Sequence, residues 1–147
     1  MKTFSYKKYK IEVFTNIEEC NNEFIHNIPN NLIVNNSYYF VITDKQTSEY
    51  VLSAVFTIDS DYKEIAHVYA HSNIHHVVQL KSIIKKITSY MYNHTDALYF
   101  KIDSSNIHNS ILLAAISAGY RRDKNDSAVY ILNENFRVGI AAVIALL

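Results

Sequence analysis

The sequence predicts a single α/β domain, of the α+β type, over residues 1–147, with a mixed β-sheet and helices on both faces. A length of 147 residues is typical of one domain, and 49% hydrophobic with 19% charged residues is enough to form a packed core. Short runs rich in β-branched and aromatic residues alternate with longer helical segments. Some strands follow each other as hairpins and others are separated by helices, which predicts antiparallel and parallel pairing in one sheet.

The predicted order of elements is β, α, β, β, β, α, β, α, β, β, with six to seven strands in the sheet. The strands are expected at residues 9–15, 38–43, 50–58, 64–71, 98–103, 120–122 and 128–132. The first helix is expected from Ile17 to about Asn27. Asn16 can cap its start with Glu19 three residues later, and Pro29 ends it.

The second helix is the clearest element, because its apolar residues recur with helical spacing from Val77 onwards. They are Val77, Leu80, Ile83, Ile84, Ile87, Tyr90 and Met91. A third helix is expected from about Asn106 to Ala118, capped by residues 103–105 and apolar almost all round, so it should be buried. Gly119 stands where a positive φ would end this helix.

Charge and hydropathy exclude two classes of partner. With 14 basic and 14 acidic residues the formal net charge is zero, so we expect no nucleic-acid partner. The short basic cluster at residues 7–10 is interpreted as the solvated edge of a strand. No apolar run is long enough to span a membrane, and no signal peptide is present. A cytoplasmic location is expected.

The tail at residues 139–147 ends in a run of apolar residues. It is too short to span a bilayer, so it should either pack on the core or contact a partner. We therefore expect a protein partner or self-association through this tail as one outcome.

The C-terminal half resembles the GNAT (N-acetyltransferase) superfamily. The similarity lies in the strand at residues 98–103, the Asn106 that follows it, the Gly119-Tyr120 pair after a helix, and the strand at residues 128–132. The order of elements is also that of the GNAT fold. This resemblance implies an acyl-coenzyme A site at the loop after residues 64–71. If acyl-CoA binds, the site residues would be Ala70, His71, His75, His76, Val78, Leu80 and Asn106.

The loop departs from the family pattern. GNAT enzymes have glycines there, so that backbone N–H groups can approach the cofactor diphosphate closely. Aligned with that pattern, Val78 and Leu80 occupy the glycine positions, and no glycine precedes Gly119 in the chain. Two branched side chains are therefore expected where the diphosphate would lie. No cofactor is expected, or acetyl-CoA if the protein is active.

The sequence also matches few of the catalytic residues of GNAT family members. Ala115 occupies the place where many family members have a tyrosine that protonates the departing thiolate. Glu64 and His67 lie on the strand that often supplies the base, and each is either a water-mediated base or an ordinary side chain.

Neither a metal site nor a reactive cysteine is predicted. His67 and His71 would be about 13 Å apart on one face of a strand, too far to bind the same ion. His71, His75 and His76 could converge at a turn, but no carboxylate or cysteine stands nearby in sequence. The lone Cys20 has no local partner.

Two functions therefore remain open. The first is a GNAT-fold pseudoenzyme with a protein-binding or structural role, similar to the GNAT-like internal virion proteins of short-tailed phages; a phage protein would be located in the virion. The second is an active N-acetyltransferase with an atypical loop.

Overall fold

The computed structural model describes residues 1–15, 28–32 and 34–133. The elements in chain order are β1 (Lys2–Tyr6), β2 (Tyr9–Phe14), β3 (Ser37–Asp44), β4 (Tyr50–Ile58), β5 (Ile65–Ser72), α1 (Val77–His94), β6 (Tyr99–Asp103), α2 (Asn109–Ser117), β7 (Arg121–Arg122) and β8 (Val129–Asn133). The helix predicted for residues 17–27, the tail at residues 139–147 and Cys20 lie outside the described residues.

The strands form one sheet in the order β1-β2-β3-β4-β5-β6-β8-β7. Among the described strands, only β5 and β6 pair in parallel, and α1 makes the crossover connection that parallel neighbours require. The mixed sheet is confirmed. It has eight strands rather than six to seven, because β1 forms a hairpin with β2 that the sequence interpretation missed.

The main core lies between one face of the sheet and both described helices. Alternate residues of the strands point into it, including Phe40 on β3, Phe56 on β4 and Phe100 on β6. The Phe56 ring meets the Phe40 ring edge-on at 5.3 Å and the Phe100 ring at 5.9 Å, measured between centroids. These edge-on contacts link three strands through one row of aromatic rings in the core.

The opposite face of the sheet carries a smaller apolar cluster. Its buried members are Phe14, Ile28, Tyr39, Val41 and Val55. The two described helices therefore share one face, and the helix predicted from Ile17 to about Asn27 lies outside the described residues.

Helix α1 confirms the predicted apolar periodicity. Six of its residues are buried, and they are Leu80, Ile83, Ile84, Ile87, Thr88 and Met91. The helix begins after His76, whose Nδ1 accepts the Gln79 N–H at 3.4 Å. At the other end the Thr95 hydroxyl donates to the Met91 carbonyl at 2.6 Å.

Helix α2 begins three residues later than predicted. Asp103 caps a 3-10 turn at Ser104–Asn106, and His108 caps the helix proper by accepting the Ser110 N–H at 3.1 Å. The predicted end is confirmed: Gly119 has φ 117° and follows the last helical residue and its C-cap. The Gly119 and Tyr120 N–H groups donate back to carbonyls of the last turn, both at 3.0 Å, as in a Schellman motif.

Candidate functional site

Strands β5 and β6 diverge at their carboxyl ends. Their parallel pairing ends at Val68 and Ile102. Strand β5 continues to Ser72, whereas β6 ends one residue later at Asp103. Residues 69–72 thus have no partner in β6, and a wedge opens between the two strands. Ala70, a predicted site residue, lies in this wedge and is buried.

A cleft of about 500 Å³ lies beside the wedge, on the face of the sheet opposite the helices. Its polar lining consists of Thr57, His67, Lys101, Asp103, Asn106, Asp123 and Asp126. His67 and Asn106 were predicted as site residues. Glu64 is not among the residues that line the cleft, because it precedes β5 at the opposite end of that strand.

His67 is held by a carboxylate that the sequence interpretation did not identify. Its Nε2 lies 2.9 Å from Oδ2 of Asp59. The same carboxyl group accepts the N–H groups of Asp61 and Tyr62. These bonds, with His67 first, lower the pKa of Asp59 to about 2. The pairing crosses from the end of β4 to β5, so no local sequence pattern reveals it.

The loop between β5 and α1 differs in detail from the sequence expectation. Val78 is 70% exposed and points outwards, whereas Leu80 is fully buried in the main core. The expectation that both side chains project into the loop is therefore wrong for Leu80, because the helix turns it towards the sheet. The solvent side of the loop is occupied instead by His75 and His76, both exposed.

A side-chain bridge joins this loop to the start of α2. Nδ1 of His75 lies 3.0 Å from Oγ of Ser110, and Nδ1 of His108 lies 2.6 Å from the same oxygen. His108 Nδ1 also accepts the Ser110 N–H, so it carries no proton. The Ser110 hydroxyl must then donate to His108 and accept from His75.

The two imidazole rings of the bridge also touch. The centroids of His75 and His108 are 4.3 Å apart with the rings tilted by 32°. We call these three residues, His75, Ser110 and His108, the histidine bridge. Ser110 and His108 escaped the sequence interpretation because only the tertiary fold brings α2 against the loop.

His71 is also held by the fold. Nδ1 of His71 lies 2.9 Å from the Tyr50 hydroxyl, which donates to the His71 carbonyl at 2.8 Å. Since the hydroxyl proton is used there, Nδ1 is the donor to Tyr50. Burial lowers the pKa of His71 and favours the neutral ring.

His67, His71 and His75 point to separate partners rather than to one another's ligand positions. Among the described residues no group of three or more His, Cys, Asp or Glu side chains could hold an ion. His67 turns to Asp59, His71 to Tyr50 and His75 to Ser110.

Comparison with known proteins identifies the fold of this chain. The sequence matches no protein-family model and no curated protein. A putative ribosomal-protein-serine acetyltransferase from Vibrio cholerae superposes with a TM-score of 0.65 and 11% identity, over 90% of this chain and 97% of its own. The protein has the GNAT fold.

Other N-acetyltransferase structures agree. The dodecameric spermidine N-acetyltransferase from Vibrio cholerae gives a TM-score of 0.61 and 11% identity, over 88% of this chain and 95% of its own. AAC(6')-Ib in complex with paromomycin and acetyl-CoA gives 0.58 and 9%, over 87% and 94%. At such identities the GNAT fold is shared, and function must be argued from the site.

The residues of the GNAT-fold loop do not fit an acyl-CoA diphosphate. The chain from Ser72 to Val78 contains no glycine and no lysine or arginine. The side chain of His76 already accepts one N–H of the first turn of α1. The histidine bridge links that loop to the start of α2. Close approach of a diphosphate to the backbone is favoured by glycine, and this loop has none.

Two further positions singled out from the sequence are Asn106 and Ala115. Asn106 ends the 3-10 turn and is exposed at the rim of the cleft rather than opening a helix. Ala115 is fully buried on α2 within the main core, so no hydroxyl stands at that point. Within the described residues no helix is both long and apolar enough to cross a bilayer.

Proposed function

We propose that this chain is a GNAT-fold protein whose acetyl-CoA binding is lost or weak and whose role is to bind a protein or serve as a structural component. The observation that carries the proposal is the histidine bridge, which joins the glycine-free loop to the start of α2. Three side chains are held together by hydrogen bonds at the loop where the resemblance to GNAT enzymes implies a cofactor site.

The energetics support the proposal. Binding a diphosphate would break the bonds of Ser110 to two imidazoles, about 0.5–1.5 kcal/mol each. It would also bring the ligand against the exposed side chain of Val78 rather than against a glycine backbone. The loop has no lysine or arginine whose ion pair with the diphosphate would offset this cost.

Acetyl-CoA titration followed by thermal unfolding tests the proposal. A ligand at 100 times its Kd adds about 2.7 kcal/mol of stability, and about 2–4 °C per kcal/mol is expected at this chain length. We expect no shift at millimolar acetyl-CoA. A shift of several degrees in the unmodified protein would overturn the proposal.

A variant that opens the bridge sharpens the test. His75→Ala combined with His108→Ala removes both rings while leaving the Ser110 N–H at the helix start. If the bridge is the obstacle, this variant gains a larger thermal shift with acetyl-CoA than the unmodified protein. Asn93→Ala combined with Asn125→Ala, two exposed positions away from the loop, serves as the control.

An active N-acetyltransferase is the second candidate, favoured by the cleft at the diverging strands. His67 lines this cleft, and Asp59 orients its ring as a carboxylate orients a catalytic base. Under this proposal an amine would lie in the cleft and His67 would accept its proton. Loss of measurable acetyl transfer in His67→Ala, with transfer in the unmodified protein, would support this candidate against the first.

The partner and location are part of the same proposal. Self-association or a protein partner through residues 139–147, a cytoplasmic or virion location, and the likeness to phage virion proteins remain predictions. Analytical ultracentrifugation of the full chain and of a variant ending at residue 138 tests the first of these.

A further inference from the structure

The outer face of α1 and the β1–β2 turn form a shallow basic depression of about 470 Å³, well away from the cleft. Its lining residues are Tyr6, Lys7, Val78, Lys81, Ser82, Lys85, Lys86 and Ser89. We call these eight residues the α1 basic surface. None of them is acidic, and α1 has no Asp or Glu along its whole length.

Among the residues that the structure describes, the lysines of this surface have no acidic partner within ion-pair distance. Within residues 1–15, 28–32 and 34–133, the ion pairs are Lys10 with Glu12 and His67 with Asp59. On a neutral protein, four ammonium groups on one small patch are therefore an excess of local positive charge. Lys81 and Lys85 are also one helical turn apart, an arrangement of like charges that destabilises a helix.

Two of these lysines lie over the ring of Tyr6. The Nζ atoms of Lys7 and Lys86 each lie 5.4 Å from the centre of the Tyr6 ring. The Tyr6 hydroxyl is 2.7 Å from Oγ of Ser82, and Lys7 Nζ donates to that oxygen at 3.2 Å. The hydrogen bond with Ser82, followed by the charges of Lys7 and Lys86, lowers the pKa of Tyr6.

Lys7 reaches this surface through an unfavourable backbone conformation. Its φ is 51°, in the left-handed region that favours glycine. The two-residue turn between β1 and β2 thus carries a lysine where glycine would be less strained. Strain kept at one residue is a common mark of a functional position.

We propose that the α1 basic surface binds an acidic segment of a protein partner. Lys81 to Ser89 spans about 12 Å along the helix at 1.5 Å per residue, which matches about four residues of extended peptide. Carboxylates spaced along such a segment would meet the four ammonium groups. The surface borders the cofactor loop at Val78, but its four lysines lie outside that loop, so the proposal does not depend on whether acetyl-CoA binds.

Nucleic acid fits this surface less well than an acidic peptide. The lining contains no arginine for bidentate contacts, and lysines already cover the Tyr6 ring that might stack on a base. Since four of the 14 basic side chains lie on the patch, the rest of the chain has 14 acidic side chains against 10 basic ones, so a long polyanion would meet repulsion beyond the patch.

Fluorescence anisotropy with a fluorescein-labelled hexaglutamate peptide tests the proposal at low ionic strength. The test variant combines Lys81→Gln, Lys85→Gln and Lys86→Gln. The control combines Lys45→Gln, Lys63→Gln and Lys124→Gln, three exposed lysines outside the surface, and changes the net charge equally. We expect the test variant to bind about tenfold more weakly and the control to bind as the unmodified protein does.

Three results would overturn the proposal. The first is the absence of saturable peptide binding to the unmodified protein. The second is an equal loss in both triple variants, which would mean attraction by net charge alone. The third is tighter binding of oligothymidylate with the same number of charges, which would assign the surface to nucleic acid. Far-UV circular dichroism confirms that each variant is folded before binding is compared.

Discussion

His75 and Ser110 lie 35 positions apart in the chain and share a hydrogen bond of 3.0 Å between Nδ1 and Oγ. The bond joins the loop that follows β5 to the first turn of α2. Ser110 is buried, whereas His75 and His108 stay exposed on either side of it. One buried hydroxyl therefore connects the loop before α1 to the start of α2.

Ser110→Ala should destabilise the protein by about 1–2 kcal/mol. The substitution removes the hydroxyl that links two imidazoles, while water can reach the exposed rings and limit the loss. Urea denaturation measures the change. Asn109→Ala, at the exposed neighbouring position, is the control and should change stability by less than about 0.5 kcal/mol. Equal effects at both positions would mean that the bridge contributes nothing to stability.

Gly119→Ala should cost about 1–3 kcal/mol of folding free energy. The φ of 117° is strained for any residue with a Cβ, and a Cβ here would lie 3.1 Å from Cδ1 of Leu132 in the core. Thermal or urea unfolding measures the loss, with the exposed Ser117→Ala as control. A neutral or stabilising effect would show that the turn after α2 adopts another conformation.

The fold could be predicted from the sequence because its signals are local. The spacing of Leu80, Ile84 and Ile87 specifies α1, and Gly119 marks the end of α2 without reference to the rest of the chain. β1 was missed because its apolar alternation is very short: only Phe4 and Tyr6 pack against the core, and the rest of this edge strand is exposed. The start of α2 was misplaced because Asp103 is as good a cap for a 3-10 turn as for an α-helix.

The site was less predictable, because its decisive contacts join distant parts of the chain. The absence of loop glycines is readable directly, but the bond between His75 and Ser110 is not. The same holds for Asp59, which meets His67 across neighbouring strands. Whether the Leu80 side chain faces the core depends on where the helix begins. An alignment to a loop pattern does not give the start of the helix.

Protonation of His71 should destabilise the protein in mild acid. Burial lowers the pKa of His71 in the folded state, whereas an unfolded imidazole has a pKa of about 6.5. The unfolded state therefore binds the proton first as the pH falls. Stability is fully present above about pH 6.5 and is lost as the pH falls through the lower pKa of the folded state.

His71→Gln removes this titration and keeps a donor for the Tyr50 hydroxyl. The free energy of unfolding, measured from pH 7.5 to 5, should fall less steeply in this variant than in the unmodified protein. His94→Gln, at an exposed position, should leave the slope as it is. An identical slope in all three proteins would show that His71 is not desolvated.

Asp59 should make stability depend on pH in strong acid. Its pKa is about 2 in the folded state against 3.8 for a free carboxyl group, because His67 and two backbone N–H groups favour the ionised form. The contribution is present above about pH 4 and is lost as the pH falls through 2. A neutral imidazole with its proton on Nε2 can donate this bond, so a charged His67 is not required.

Asp59→Asn should flatten the decline of unfolding free energy between pH 4 and 2, as measured by urea denaturation at fixed ionic strength. The exposed Asp61→Asn keeps the backbone N–H that donates to Asp59 and should decline like the unmodified protein. Because the same carboxylate orients His67, the Asp59→Asn variant also separates two roles of this pair. If Asp59→Asn changes the pH dependence of the unfolding free energy but leaves acetyl transfer as it is in the unmodified protein, the pair only stabilises the turn after β4. A parallel decline in all three proteins would mean that the carboxylate is not held by His67 in solution.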